Sequence, residues 1–223
     1  MNDIKYLILD MGKVLVEPTT GNWYITPVFI KNVDVNKIEV DSLIKAINEF
    51  GPLLDRKMVT LDEEYKILYE FYKEALKKVG YDIPEQNLKN IVDDFVYNVT
   101  DSKYYLYDDV VQELERLSKK YSIFLLSDNW PCAIEYLKKH DIHKYFEKVY
   151  VSSVYGVRKK DGLFFDIPIS EYNIKPGEAL FVDDNETLLD IAKEKNLDVA
   201  LMDRHKKVEH SKYKIINSLS EID

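Results

Sequence analysis

Three features of the sequence predict an α/β protein, a Rossmann-like doubly wound parallel sheet carrying an all-helical insertion. The chain opens with a short apolar run, Ile4, Tyr6, Leu7, Ile8 and Leu9, that stops abruptly at Asp10-Met11-Gly12-Lys13. A nearly continuous apolar run bounded by a glycine turn reads as a strand buried on both faces, as in a parallel sheet covered by helices. The period then changes, and between Val35 and Val79 apolar residues recur at three and four positions, the mark of amphipathic helices. From Asp108 onward short apolar runs alternate with helix-length segments, the βαβ pattern of a parallel sheet.

The elements follow in order. After the opening strand, residues 14–26 hold two Pro/Gly breaks and read as a loop leaving the sheet. Helices are expected over 35–50 and 61–79. The second has a Thr60-Leu61-Asp62-Glu63 capping box at its start and Gly80 at its C-cap. A third helix is expected after Pro84, to about residue 98, so that residues 17–100 form a helical insert. The series then runs helix 110–121, strand 123–126, helix 131–140, strand 148–151, helix 164–173, strand 179–182, helix 186–195 and strand 199–202. A short strand at 213–216 and a helical turn at 218–222 close the chain. The breaks near Glu17 and near Thr100 to Tyr104 are the plausible domain borders.

Composition bounds the function. The 223 residues are 46% hydrophobic, enough for a full core in one domain with an insertion or in two small domains. A formal net charge of -9 argues against nucleic acid or an anionic membrane as the main partner, because phosphate arrays are bound by clustered Lys and Arg. Cys132 is the one cysteine, which precludes an internal disulfide. The first apolar stretch is too short for a signal or spanning segment, so the expected location is cytoplasmic.

In a doubly wound sheet the reactive groups lie just beyond the carboxyl ends of the strands, and four such ends here carry polar residues. Asp10 ends the first strand, where alone it would read as a turn former. Ser127-Asp128-Asn129 ends the strand at 123–126; these residues suit a helix N-cap as well as an anion ligand. Asp183-Asp184-Asn185 ends the strand at 179–182. One acidic residue suffices as a cap, and the second repels the first unless a cation lies near. With Asp10 they form an oxygen-rich set suited to Mg²⁺. Between them lies Gly156-Val157-Arg158-Lys159-Lys160, which can bring one ammonium to the same place; Lys160 reads as solvated.

Four pieces in this order, ILDMGKVLV, FLLSDN, GVRKK and FVDDN, resemble the four signature motifs of the haloacid dehalogenase superfamily, over nearly the whole chain. The resemblance implies an α/β core formed by 1–16 and 101–223, a helical cap at 17–100, and Mg²⁺-dependent hydrolysis of small phosphate monoesters. It implies that Asp10 is the nucleophile that forms an aspartyl-phosphate. Mg²⁺ would be bound by Asp10, the carbonyl of Gly12 and Asp184, with Asp183 as a further group. Lys159 would neutralise the phosphoryl oxygens and Ser127 orient one, with Asp128 and the backbone of Met11, Gly12 and Lys13 around the phosphate.

Two departures from the family pattern stand out. Most phosphatases of the superfamily carry a second Asp two residues after the nucleophile as general acid and base, and here that residue is Gly12. A subgroup with Asp-x-Gly-x-Val, resembling a sugar-phosphate phosphatase, is similar to this chain in its first motif and in GxRK. Leu188 stands where many members place a further Asp or Asn. Three readings stay open: a phosphatase working on a small phosphorylated metabolite, an impaired phosphate- or metabolite-binding protein, and a 2-haloacid dehalogenase-type hydrolase, which needs no metal. Trp23, Tyr24, Arg56 and Trp130 are candidates for the cap–core cleft, though packing accounts for each as well. The four histidines show no ligand spacing.

Overall fold

The computed structural model describes residues 4–98 and 103–223. Strand β1 (Tyr6–Leu9) lies in the middle of a six-stranded sheet with β4 (Ser122–Ser127) on one side and β6 (Ala179–Asp183) on the other. Both pairings are parallel, with Leu9 level with Leu125 and Val182. Beyond them lie β5 (Lys148–Val151), β7 (Asp198–Met202) and β8 (Lys214–Ile216), also parallel, in the order β5-β4-β1-β6-β7-β8. Leu7, Ile8 and Leu9 are fully buried, as the opening run requires.

Helices cover both faces. Residues Leu7 and Leu9 point into a cluster with α5 (Val110–Leu117) and α6 (Cys132–Lys139). Ile8 points the other way, towards α8 (Leu163–Glu171) and α9 (Glu186–Glu194). This alternation of one strand between two apolar layers is the doubly wound architecture that the sequence predicts. The short strand β8 and a 3₁₀ turn at Leu219–Glu221 close the chain, also as expected.

The insert is helical: α1 (Pro27–Asn32), α2 (Val40–Phe50), α3 (Leu61–Lys78) and α4 (Glu85–Asp93) enclose a third apolar cluster around Phe29, Leu68, Phe71, Tyr72 and Phe95. The capping box of α3 is formed as its sequence predicts, Glu63 N–H donating to Thr60 Oγ1 at 3.2 Å and Thr60 N–H to Glu63 Oε2 at 3.1 Å. Gly80 follows at φ +74°, a conformation that favours glycine, and Tyr81 N–H returns to Leu76 O at 3.0 Å.

Other boundaries differ from expectation. The helix expected over 35–50 is broken into a 3₁₀ turn, Val35–Lys37, and α2, because the Glu39 carboxylate caps α2 by accepting from Asp41 and Ser42 N–H. Helix α1 lies just after the expected loop at 14–26, in a stretch given no element; Thr26 caps it and Pro27 opens it. The third helix turns into a wider π turn at Asp94–Asn98. Two short strands, β2 (Val16–Pro18) and β3 (Tyr104–Leu106), pair antiparallel where the chain leaves and re-enters the sheet. The expected border at 16/17 falls inside β2, and that at 100/101 lies outside the described residues. Among the described residues no helix is long and apolar enough to cross a membrane.

Candidate active site

Asp10 follows β1 directly, and its N–H donates to Val182 O at 3.0 Å, so the sheet itself aims this residue from its central strand. Ser127 ends β4 and Asp183 ends β6, both buried, and Asp184 comes next. Lys159 arrives on a 3₁₀ turn, Lys159–Asp161, after the short helix α7 (Ser152–Tyr155). These residues line one cleft of about 330 Å³ together with Gly12, Lys13 and Trp23.

The centre of the cleft is Lys159, only 2% exposed. Its Nζ lies 2.8 Å from Asp10 Oδ1 and 2.5 Å from Asp183 Oδ2. Burial opposes the charge on Lys159, but the two carboxylates outweigh it and hold the ammonium above its ordinary pKa. The turn that delivers it is tied to the strand end beside it: Lys159 N–H donates to Asp128 Oδ1 at 3.1 Å, and Arg158 Nε lies 3.5 Å from Asp128 Oδ2.

The carboxylates outnumber the cations. Burial pushes the pKa of Asp183 up; Lys159 draws it back and Asp10 adds to the rise. Asp184 is also raised, first by burial and then by Asp10, although Lys13 Nζ stands 3.3 Å from its Oδ2. Asp10, Asp183 and Asp184 each offer an oxygen within 4.8 Å of the others. Three carboxylates against two ammonium groups leave a net negative, oxygen-only donor set, which fits a hard divalent cation such as Mg²⁺.

The cleft gathers most of the residues the motifs single out: Asp10, Gly12, Ser127, Asp128, Lys159, Asp183 and Asp184, and from the candidates around it Trp23, Tyr24 and Trp130. Leu188 also lines it, an apolar group in the position noted above. Met11 is wholly buried and, unlike Gly12 beside it, does not line the cleft. Lys13 N–H donates to Val16 O at 2.7 Å, so that amide closes the turn after β1 instead of facing a ligand. Arg56 lies outside the cleft, paired with Glu70 on the surface, and Lys160 is solvated as expected. The side chain of Lys13 was not singled out, although a lysine beside Gly12 in the first motif was the signal for it.

At Gly12 the neighbourhood is crowded. A Cβ on that residue would stand 3.2 Å and 3.3 Å from two ring atoms of Trp23, whose indole packs edge-on against Tyr104. The indole therefore occupies space that a longer side chain at residue 12 would need.

Comparison with known proteins identifies the family and the fold. Residues 33–202 match the family of haloacid dehalogenase-like hydrolases, a stretch that starts after β1 and takes in β4 to β7. A D-ribitol-5-phosphate phosphatase of Bacteroides thetaiotaomicron is 33% identical over 85 residues, 35% of this chain, and the match spans only 41% of that protein's length. An L-2-haloacid dehalogenase of Xanthobacter autotrophicus has the same fold with a TM-score of 0.69 at 15% identity, covering 97% of this chain and 96% of the other. A HAD-hydrolase of Bacillus subtilis, solved bound to magnesium, superimposes with a TM-score of 0.70 at 14% identity, covering 98% and 96%. With a family match across most of its length, the chain belongs to the haloacid dehalogenase-like hydrolases.

Proposed function

We propose that the protein is a Mg²⁺-dependent hydrolase of small phosphate monoesters that works through an aspartyl-phosphate on Asp10. The observation that carries this reading is the buried Lys159 bridging Asp10 and Asp183, with Asp184 completing a three-carboxylate cluster. A carbon–halogen hydrolase needs no metal, so the paired Asp183 and Asp184 count against that reading, and simple anion binding gains nothing from a carboxylate beside the phosphate. A magnesium ion held by Asp10, Asp183, Asp184 and the Gly12 carbonyl would supply the positive charge that an anion attacking a phosphate needs.

The remaining steps belong to the chain. An Asp10 oxygen attacks phosphorus, an acyl-phosphate bond forms and the ester oxygen leaves with the bonding pair. Lys159 balances charge on the phosphoryl oxygens and the Ser127 hydroxyl donates to one of them. Water then attacks phosphorus, releasing inorganic phosphate and restoring Asp10. Gly12 offers no proton, and the Trp23 ring stands where an acid would need to reach, which supports a leaving group protonated by water or by the substrate. General acid–base help is worth about 10²- to 10⁴-fold, so its loss slows alkyl esters more than aryl ones.

We also read residues 17–100 as the cap and 1–16 with 101–223 as the core, supported by the separate apolar cluster of the helical insert. A buried, unpaired Cys132 suits a cytoplasmic protein. The test is phosphate release from aryl and alkyl phosphate monoesters, with Mg²⁺ and with chelator, by the native chain and by Asp10→Asn. Turnover should require both the metal and Asp10 and should favour aryl esters. No hydrolysis, with phosphate bound by Asp10→Asn at least as well as by the native chain, would replace the enzyme with a binding protein.

A further inference from the structure

Lys13 is the second cation of the cleft, and its backbone is held in an unusual state. It takes φ +53°, the left-handed region that favours glycine, in a turn that its own N–H closes onto Val16 O at 2.7 Å. A glycine would adopt this conformation freely, so a lysine here stores backbone strain, and such outliers point to what the side chain does. The side chain reaches Asp184. Nζ lies 3.3 Å from Oδ2, the one ion pair that either residue makes among the described residues. Lys13 and Asp184 also wall a further cavity of about 220 Å³. The other carboxylates of that cavity are engaged elsewhere, Glu17 with Tyr107 and His205, Asp203 with the Val208 N–H.

Asp184 therefore serves two cations, the Lys13 ammonium and the divalent ion that the three carboxylates suit. Two positive charges on one carboxylate repel each other and compete for its oxygens. A phosphate dianion arriving at the loaded site gains from the same two charges. Whatever the carboxylates carry, Lys13 adds one positive charge to every state of the site. With Lys13, three carboxylates, two ammonium groups and Mg²⁺ leave the loaded site with one positive charge. Without Lys13 the loaded site would be neutral, and the three carboxylates would face Lys159 alone before the metal binds.

We propose that Lys13 sets the balance between metal and phosphate at this site: its ammonium, acting through Asp184, loosens the divalent cation and leaves the loaded site positive enough to draw in a phosphate dianion. This rests on the metal and phosphate reading of the cleft given above. Lys159 does not perform the same task, because it is buried between Asp10 and Asp183, whereas Lys13 is half-exposed and pairs with Asp184 alone. Lys13 acts by placing charge, without touching the reacting atoms.

The experiment measures Mg²⁺ affinity by calorimetry, and then inorganic phosphate affinity at saturating Mg²⁺, for the native chain, Lys13→Met and Lys13→Arg. All three keep the same backbone strain and the turn amide, so folding is not at stake. Lys13→Met should bind Mg²⁺ about tenfold tighter and phosphate about tenfold weaker, the modest size reflecting a half-exposed charge. Lys13→Arg, which keeps the charge, should stay within about threefold of the native chain for both. The opposite signs are the signature, since a distorted site would lose affinity for metal and phosphate together. Weakening of both in Lys13→Met, no change in either, or Lys13→Arg behaving as Lys13→Met would overturn the proposal. Neither measurement needs turnover, so a chain that hydrolyses no ester would end the phosphatase reading while these affinities still decide Lys13. An active phosphatase with equal affinities in all three chains would keep the enzyme and remove this role. Absence of Mg²⁺ binding in all three would overturn the proposal and the metal reading together.

Discussion

Two lysines of this protein are almost wholly buried, and their surroundings differ in kind. Lys159, in the cleft, is wedged between the carboxylates of Asp10 and Asp183. Lys103, beneath the insert, donates to the Phe95 carbonyl at 3.0 Å, lies 3.4 Å above the centre of the Phe95 ring, and is 3.5 Å from Cys132 Sγ. Nearby the buried Glu64 accepts from Cys132 N–H at 2.8 Å, at the start of α6. Around Lys103 the cation is satisfied by a carbonyl dipole and a π face, and the region joins insert to sheet. Around Lys159 carboxylates are in excess, an arrangement costly for folding and useful for chemistry.

That contrast has consequences that can be measured. Lys159→Met leaves Asp10 and Asp183 buried without their cation and should cost about 3–5 kcal/mol of stability in urea unfolding, besides abolishing turnover. Lys103→Met keeps the volume, loses a hydrogen bond and a cation–π contact, and should cost only about 1–3 kcal/mol, with phosphate release retained. Equal losses at the two sites would erase the distinction between them.

The next effect concerns the space beside Asp10. Gly12→Asp alone must push against the Trp23 ring and should lose about 1–3 kcal/mol of stability without gaining rate. Combined with Trp23→Ala, it should raise alkyl-ester turnover by about 10²-fold as an acid reaches the leaving group. A gain from Gly12→Asp alone would show that the indole is no obstacle.

Glu64 gives a smaller, pH-dependent effect. Burial raises its pKa, against the pull of the Cys132 contact and of Lys103, so the folded chain holds this proton more tightly than the unfolded chain. Its favourable contribution is complete below the ordinary carboxylate pKa and is lost as pH rises through the folded value. Glu64→Gln, which cannot ionise, should therefore gain stability relative to the native chain as pH rises above the ordinary carboxylate range, as read from urea midpoints; a constant difference would contradict this sign. Smallest of all, Arg56→Ala should change stability by about 1 kcal/mol or less and leave turnover alone, since its pairing with Glu70 is exposed.

Much of this layout was legible in the residues. The strand runs ending in Asp10, Ser127 and Asp183 were readable because a strand buried on both faces has a distinctive continuous apolar pattern, and the capping box at Thr60 because its partners are three residues apart. What escaped was non-local or masked by its neighbours: β2 pairs with a segment some ninety positions away, and the helix at Pro27–Asn32 hid among turn formers. The break in the helix before α2 turned on the Glu39 side chain, which propensity alone treats as a good helix former.

The sequence by itself determined which groups are present and on which strand ends they sit, because periodicity and turn chemistry act over a few residues. Only the tertiary structure decided that Lys159 lies between Asp10 and Asp183, that Trp23 stands over Gly12, and that Lys13 reaches Asp184. Those are contacts between segments distant along the chain, and packing and Coulomb energy select them only once the layers have closed.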